Sequence, residues 1–223
     1  MGCTIHDLDP DDRTAVAAVA RLHRELITTG IGRLGDRFVE RYLYTVLVRD
    51  GLLRAALCEV DGAPAGFVAW TTRASSFHRD ALRRHWVSSG WILGTSMLRH
   101  PSLVRELATL LRVARSRAPG GAGRGEGEGG PGSPECEVLA IGVRPEYRSP
   151  AFVRSRRLRL STALFEHAAE RFRAAGADVA RVLVEADNTP TLAFYRARHA
   201  TLGPPSEGAH PLVEVRVPLV GGR

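Results

Sequence analysis

The chain has 223 residues, 44% of them hydrophobic, and a formal net charge of +7 at pH 7. This size and apolar content predict a single α/β domain over residues 1–223, and the lack of an apolar run of 18 residues predicts no membrane span. All 31 residues in the Lys plus Arg count are Arg, which excludes a Walker A lysine, a pyridoxal-phosphate lysine and Schiff-base chemistry.

The basic charge favours an anionic partner: nucleic acid, a membrane surface or a phosphorylated cofactor. Arg can provide a phosphate site without Lys because its guanidinium binds phosphate through two parallel hydrogen bonds. The N-terminal residues lack the pattern of a secretory signal, and Cys3, Cys58 and Cys136 lack zinc-site spacing. We therefore expect a cytoplasmic protein with reduced thiols and no metal ion.

The first 72 residues predict a strand, two helices and a hairpin. Asp9 is the predicted N-cap of the first helix and Asp36 that of the second, because a carboxylate accepts hydrogen bonds from the amides of a first helical turn. The predicted strands are residues 3–7, 52–60 and 65–72, and a tight turn at residues 61–64 joins the last two.

The middle of the chain has the pattern of an insertion. Residues 76–117 are predicted to form two helices, and residues 118–134 a disordered loop, because a Gly-rich polar tract buries too little surface to offset its ordering entropy. The first helix carries Trp86 and Trp91 among arginines. It is interpreted as a lid over a substrate site, a membrane-surface helix, a nucleic-acid surface or a helix that simply packs on the sheet.

Strands and helices alternate in the C-terminal part of the chain. A strand, a long amphipathic helix and a second strand at this spacing predict a βαβ unit with a parallel strand pair. The predicted elements are a strand at 137–143, a loop at 144–155, a helix at 159–175 that stops at Gly176, a strand at 179–184, a helix at 190–199 and a strand at 212–219.

Three motifs in this part resemble, in their order, those of the GNAT (general N-acetyltransferase) superfamily. They are the strand from Glu137 to Val143 with the following Arg144-Pro145-Glu146-Tyr147-Arg148, then Val184-Glu185-Ala186-Asp187-Asn188, then Ala193-Phe194-Tyr195. The resemblance implies an α/β fold with a mixed, mostly antiparallel sheet, one splayed parallel strand pair and a helical insertion. It also implies an acyl-CoA-dependent N-acyltransferase, with acetyl as the expected group, that transfers directly to an amine.

The resemblance implies a site for acetyl-CoA or another acyl-CoA. A pantetheine arm would pair with the free backbone of Ile141, Gly142 and Val143, and the pyrophosphate would lie on the amides that begin the next helix. Arg159 and Ser161 replace two small residues of the family's turn. The implied contacts at the turn are Arg156, Arg157, Arg159, Leu160, Ser161 and Thr162; the alternative for these arginines is a solvated basic face.

The resemblance also implies catalytic roles, because amine acylation needs a base for the ammonium and an acid for the departing thiolate. Glu137 corresponds to the base of one branch of the family, or else is an edge carboxylate. Tyr195 corresponds to the residue near the CoA sulfur, or else packs in the core. Asn188 would contact the cofactor, cap the helix at residue 190, or do both.

The sequence is also compatible with other functions. The missing small residues favour a GNAT-like binding or sensor module whose phosphate turn has decayed, and the basic charge favours a nucleic-acid binder, although no recognition motif is present. For the enzyme, a small-molecule amine is the expected acceptor and no nucleic acid is expected. The sequence does not specify the acceptor, the acyl chain length or the oligomeric state.

Overall fold

The protein, described here by a computed structural model over residues 2–27, 38–77, 79–81, 134–207 and 210–219, contains one mixed sheet of seven strands. The strand order is β1-β2-β3-β4-β5-β7-β6, and β4–β5 is the parallel pair of a sheet whose other described pairs are antiparallel. The strands are β1 Cys3–Asp7, β2 Arg54–Val60, β3 Ala63–Thr71, β4 Cys136–Val143, β5 Val179–Glu185, β6 Thr201–Pro205 and β7 Leu212–Pro218.

Helices cover both faces of this sheet. They are α1 Arg13–Leu26, the π-helical α2 Phe38–Val46, which continues into one α-helical turn at Leu47–Arg49, α3 Pro145–Arg148, α4 Pro150–Arg156, α5 Leu160–Ala174 and α6 Thr189–Arg196. Residues 74–77 and 79–81 are also helical. Within these ranges, no helix is both long and apolar enough to cross a membrane.

Alternation along β3 divides the core into two clusters. Phe67 and Ala69 point to the face covered by α1 and α2, whereas Val68 and Trp70 point to the face covered by α5 and α6. This is the arrangement expected of a strand buried on both faces. The predicted βαβ unit is confirmed, since α5 connects the parallel strands β4 and β5.

Helix α1 begins three residues later than predicted. Asp12, not Asp9, is its N-cap, because the Asp12 carboxylate accepts hydrogen bonds from the amides of Thr14 and Ala15, both at 3.0 Å. Asp9 instead accepts from the Asp11 amide at 2.9 Å in the preceding turn. The prediction that Asp36 caps the second helix, most of the predicted insertion at 76–117 and nearly all of the predicted loop at 118–134 lie outside the described residues.

The β2–β3 hairpin is confirmed, with a turn of two residues. Asp61 and Gly62 have φ angles of 51° and 80°, the left-handed pair that matches the twist of the flanking strands. Pro64, predicted to lie in the turn, belongs to β3. The short turn places the Asp61 carboxylate beside α4, where it binds Arg156 at 2.6 Å.

The C-terminal part contains one wrong prediction and one strand that was not predicted. The segment predicted as a loop contains α3 and α4, because the Ser149 hydroxyl accepts from the Phe152 amide at 3.2 Å and Pro150 occupies the first turn. Strand β6 was missed because Gly203, Pro204 and Pro205 have low β-propensity. It is an edge strand that pairs with β7, where proline is tolerated.

Gly66 is required by the close approach of β3 and β4. A Cβ atom there would lie 2.7 Å from the carbonyl oxygen of Gly142, which cannot move without distorting β4. We expect Gly66→Ala to lower the free energy of unfolding by about 1–3 kcal/mol, measured by urea denaturation. Gly203→Ala is the matched control, because its new Cβ would meet nothing closer than 3.4 Å. Equal losses of unfolding free energy in the two variants would show that the close contact between Gly66 and β4 is not the cause.

Candidate functional site

A wedge opens where the two parallel strands diverge. Strands β4 and β5 pair at three positions, the last of which joins Val138 and Val182. Beyond that point β4 stays paired with β3 and β5 with β7. A bulge contributes to the divergence, because Trp70 pairs with Val138 and Ala69 with Ala140, so Leu139 has no opposite residue on β3. The predicted splayed parallel pair is therefore confirmed.

The three predicted contacts to a pantetheine arm lie on the open stretch of β4. Ile141 is half-buried and packs toward the α5 face, whereas Gly142 and Val143 are buried. Gly142 also has a packing role, since a Cβ atom would lie 2.9 Å from the Phe67 ring and 3.0 Å from a methyl group of Leu26. Contact between the arm and this stretch would thus involve backbone groups and the Ile141 side chain.

The beginning of helix α5 has the features of an anion site. Arg159 is the N-cap, and its side chain makes no capping hydrogen bond. The Thr162 and Ala163 amides donate to the Arg159 carbonyl, whereas among the described residues the amides of Leu160 and Ser161 have no acceptor. A cation at an uncapped N-terminus is electrostatically unfavourable unless an anion lies between them.

An open cavity of about 540 Å³ adjoins this turn. Arg157 lies in the loop between α4 and α5 with a left-handed φ of 51°. Arg156, by contrast, ends α4 and is bonded to Asp61, so a phosphate would compete with that carboxylate for its guanidinium. The lining residues are Val153, Arg157, Leu158, Arg159, Thr162 and Ala163.

Arg198 is a further cation at this turn, and sequence reasoning missed it. It donates to the Thr162 hydroxyl at 2.7 Å and to the Phe194 carbonyl at 2.9 Å. Its guanidinium carbon lies 3.6 Å from the centre of the Phe194 ring, within range of a cation–π interaction. Burial lowers the pKa of Arg198, and the nearby Arg159 adds to that effect. Arg198 thus joins the end of α6 to the first turn of α5.

Tyr195 lies in the core between α5 and α6. It is fully buried, and its ring contacts Phe165 and Phe194 edge-on at centroid distances of 5.8 and 5.0 Å. Its hydroxyl is buried without a hydrogen-bond partner among the described residues. Burial raises the pKa of this phenol, so it stays protonated and can donate. An unsatisfied buried hydroxyl is unfavourable and fits a site whose acceptor arrives with a ligand.

Glu137 is buried at the narrow end of the wedge. Its carboxylate accepts a hydrogen bond from Arg181 on β5 at 2.7 Å, within the parallel register of the two strands. Burial alone would lower the pKa of Arg181, but Glu137 raises it overall, with smaller contributions from Glu214 and Glu135. The Arg181 Nε is buried without a described partner. Glu137 is thus an ion-paired carboxylate inside the sheet.

Asn188 has the local role of a helix cap that the sequence predicted. The Asn188 side chain accepts from the Thr191 amide at 3.2 Å and caps α6. His199 follows α6 with a φ of 59°, a conformation in which His is found more often than most residues. Asn188 is exposed, so a ligand can reach its amide group.

The residues present fit an acyl-CoA, although they do not include the family's small residues at the turn. The β4–β5 pairing ends before the stretch from Ile141 to Val143, the Leu160 and Ser161 amides have no described acceptor, and the Tyr195 hydroxyl is buried without a described partner. Within the described part of the chain, no three His, Cys, Asp or Glu side chains are grouped to hold a metal ion.

Known structures share this fold. The chain is similar to the ribosomal-protein-S18-alanine N-acetyltransferase from Escherichia coli, with a TM-score of 0.54 and 11% identity over 100% of this chain and 97% of that one. It is also similar to yncA, a putative acetyltransferase from Salmonella typhimurium with its cofactor acetyl-CoA. The TM-score is 0.52, with 14% identity over 100% of this chain and 97% of that one.

A third similar structure is the NatC complex bound to Gag peptide and CoA, with a TM-score of 0.55 and 10% identity over 98% of this chain and 99% of that one. The sequence matches no protein-family model and no curated protein. At these identities the structural likenesses identify the fold: the chain has the fold of the GNAT acetyltransferases.

Proposed function

We propose that this protein transfers an acyl group, with acetyl as the first candidate, from acyl-CoA directly to a primary amine. The supporting observation is the wedge between β4 and β5, which opens beside an uncapped helix N-terminus. A free strand edge suits the amides of a pantetheine arm, and free helix amides suit a pyrophosphate.

The anion site would use the first turn of α5. The Leu160 and Ser161 amides and the Thr162 hydroxyl would hold the pyrophosphate, with the Arg157 and Arg159 guanidiniums as counter-charges. Arg198 would position Thr162, since it already donates to that hydroxyl. Arg156 would contribute only if it left Asp61. The side chains of these arginines would then replace the close backbone approach that small residues allow in the family.

The chemistry would take place near Tyr195 and Glu137. The amine nitrogen would attack the thioester carbonyl, forming the C–N bond as the C–S bond breaks. Tyr195 would donate a hydrogen bond or its proton to the departing sulfur, and Glu137 would take up a proton from the ammonium. Because Glu137 is bonded to Arg181, a water molecule or a shift of Arg181 would have to connect it to the amine.

Titration calorimetry with acetyl-CoA, followed by an acetylation assay, tests the proposal. We expect saturable binding and a rise in melting temperature, because a ligand that binds only the native state stabilises it. The assay should include small amines and peptides with free N-termini, since one structural neighbour contains a bound peptide. Absence of both heat and a thermal shift would overturn the proposal.

The second candidate is a GNAT-like binding or sensor module, favoured by the same unusual turn. Arg159→Glu distinguishes a working phosphate site from a decayed one. We expect this change to weaken acetyl-CoA binding by about 10- to 100-fold, because it replaces a charge-assisted contact with repulsion.

Arg13→Glu is the matched control for this experiment. It makes the same change of charge, and Arg13 is exposed at the start of α1. Calorimetry should give an unchanged affinity for it. If Arg159→Glu binds as tightly as this control, the turn is not a phosphate site. If both bind well and no amine in the panel is acetylated, the binding module becomes the better description.

A further inference from the structure

Two cysteine thiols touch across the edge of the sheet. Cys3 begins β1 and Cys58 lies in β2, and their sulfur atoms are 3.5 Å apart. In the antiparallel register Cys3 pairs with Val60 and Cys58 with Ile5, so the two cysteines are diagonal neighbours on the same face. Both are free thiols, and neither has a role in the proposed acyl transfer.

The two thiols differ in their exposure. Cys3 is partly exposed on an edge strand, whereas Cys58 is fully buried. Burial, and then the hydrogen bond with Cys3, raises the pKa of Cys58. An oxidant in solution can therefore reach the Cys3 sulfur first, and the Cys58 sulfur is already in contact with it. Solvent access to one thiol and a second cysteine in contact with it are two features of reversible oxidation sites.

We propose that Cys3 and Cys58 form an oxidation site at which a peroxide converts the two thiols into a disulfide. The Cys3 sulfur attacks one peroxide oxygen, the O–O bond breaks, and Cys3 sulfenic acid and one water form. The Cys58 sulfur then attacks the Cys3 sulfur, the S–O bond breaks and a second water leaves. Hydrogen peroxide is reduced to two waters, and the two thiols lose two hydrogens in total.

Disulfide formation requires the Cys3 and Cys58 sulfur atoms to move closer together. The sulfur atoms must approach from 3.5 Å to the bonded distance of about 2.05 Å. Strand β1 is an edge strand whose described backbone pairing is with β2, so the approach requires an adjustment within this one strand pair. The disulfide would link residues that are 55 positions apart, enclosing α1 and α2, and a cross-link of that length stabilises a fold by restricting the unfolded chain.

Peptide mapping of the folded, full-length protein tests the site. The reduced protein is treated with hydrogen peroxide, the remaining thiols are alkylated, and peptides are separated without a reductant. We expect a Cys3–Cys58 cross-linked peptide, full reversal by dithiothreitol and a higher melting temperature of the oxidised form. Cys136, buried on β4 and separated from β2 by β3, should remain alkylatable only after unfolding.

Two variants complete the test. Cys136→Ser should still form the cross-link, and Cys3→Ser should abolish it and the peroxide-dependent rise in melting temperature. The proposal is overturned if Cys3 remains a thiol, or if it accumulates as sulfinic or sulfonic acid while Cys58 remains reduced. It is also overturned if the cross-link forms only in denaturant. No outcome depends on acyl-CoA, so the result is independent of the proposed function.

Discussion

Replacing Tyr195 by Phe should lower kcat for acetyl transfer by about 100-fold and leave the dissociation constant of acetyl-CoA within about twofold of the wild-type value. The hydroxyl is buried without a partner among the described residues, so its hydrogen bond would form with the ligand's sulfur. A bond that strengthens as the thiolate departs stabilises the transition state more than the ground state. Phe keeps the ring contacts with Phe165 and Phe194.

Steady-state kinetics at saturating acetyl-CoA measure this change, with calorimetry for binding and thermal unfolding for stability. Removal of an unsatisfied buried hydroxyl should leave the melting temperature unchanged or raise it. Slow turnover of a variant with unchanged stability would therefore separate a catalytic role from a structural one. Tyr147→Phe on α3 is the matched control and should keep wild-type turnover. Unchanged turnover of Tyr195→Phe would exclude Tyr195 as the acid.

Acid should destabilise the protein through His23. This side chain is buried between α1, α2 and β3, where its Nδ1 lies 2.6 Å from the Tyr44 hydroxyl and its ring stacks on Phe67 at 5.4 Å. Its Nε2 is buried without a described partner. Burial lowers the pKa of His23 to about 4 from 6.5, and burial raises the pKa of Tyr44, so a neutral ring and a protonated phenol share this hydrogen bond.

The direction of this pH dependence of stability follows from proton uptake by the unfolded chain. Above pH 6.5 His23 is neutral in both states, and it contributes nothing to the pH dependence of stability. As the pH falls from 6.5 to 4, His23 binds a proton in the unfolded chain but stays mostly neutral in the native state. The free energy of unfolding should therefore fall by about 3 kcal/mol over that range, at about 1.36 kcal/mol per pH unit.

Urea denaturation between pH 7 and pH 4.5 measures this effect, before most carboxylates titrate. His23→Gln should be less stable at pH 7, because the ring packing is lost, but its stability should depend less steeply on pH. His210→Gln is the control, since His210 is exposed and its loss should leave the slope unchanged. If the free energy of unfolding depends equally steeply on pH in the wild type and in His23→Gln, His23 is not the cause of the acid destabilisation.

The sequence was sufficient to predict the elements that are determined by residues close together in the chain. The short apolar run of β4, the amphipathic period of α5 and the Asp61-Gly62 turn each depend on neighbouring residues, and all three were confirmed. The short helices α3 and α4 were missed even though Ser149 and Pro150 are ordinary start signals. Two turns of helix have too few apolar residues to show a period.

The site was less predictable because its contacts join distant segments. Arg198 and Thr162 are 36 residues apart, and no spacing rule places one side chain on the other. Arg156 was expected at the phosphate and is bonded to Asp61 on a hairpin 95 residues away. The ion pair between Glu137 and Arg181 depends on the register of two parallel strands, which hydrophobic pattern does not specify.

That register has a mechanical consequence. The sheet consists of a four-stranded part, β1 to β4, and a three-stranded part, β5 to β7, which are joined by three backbone pairs from Cys136 to Val138. The Glu137–Arg181 ion pair crosses this seam at its middle rung. The wedge begins where this junction ends, so the ion pair helps to hold the two parts together at the closed end of the wedge.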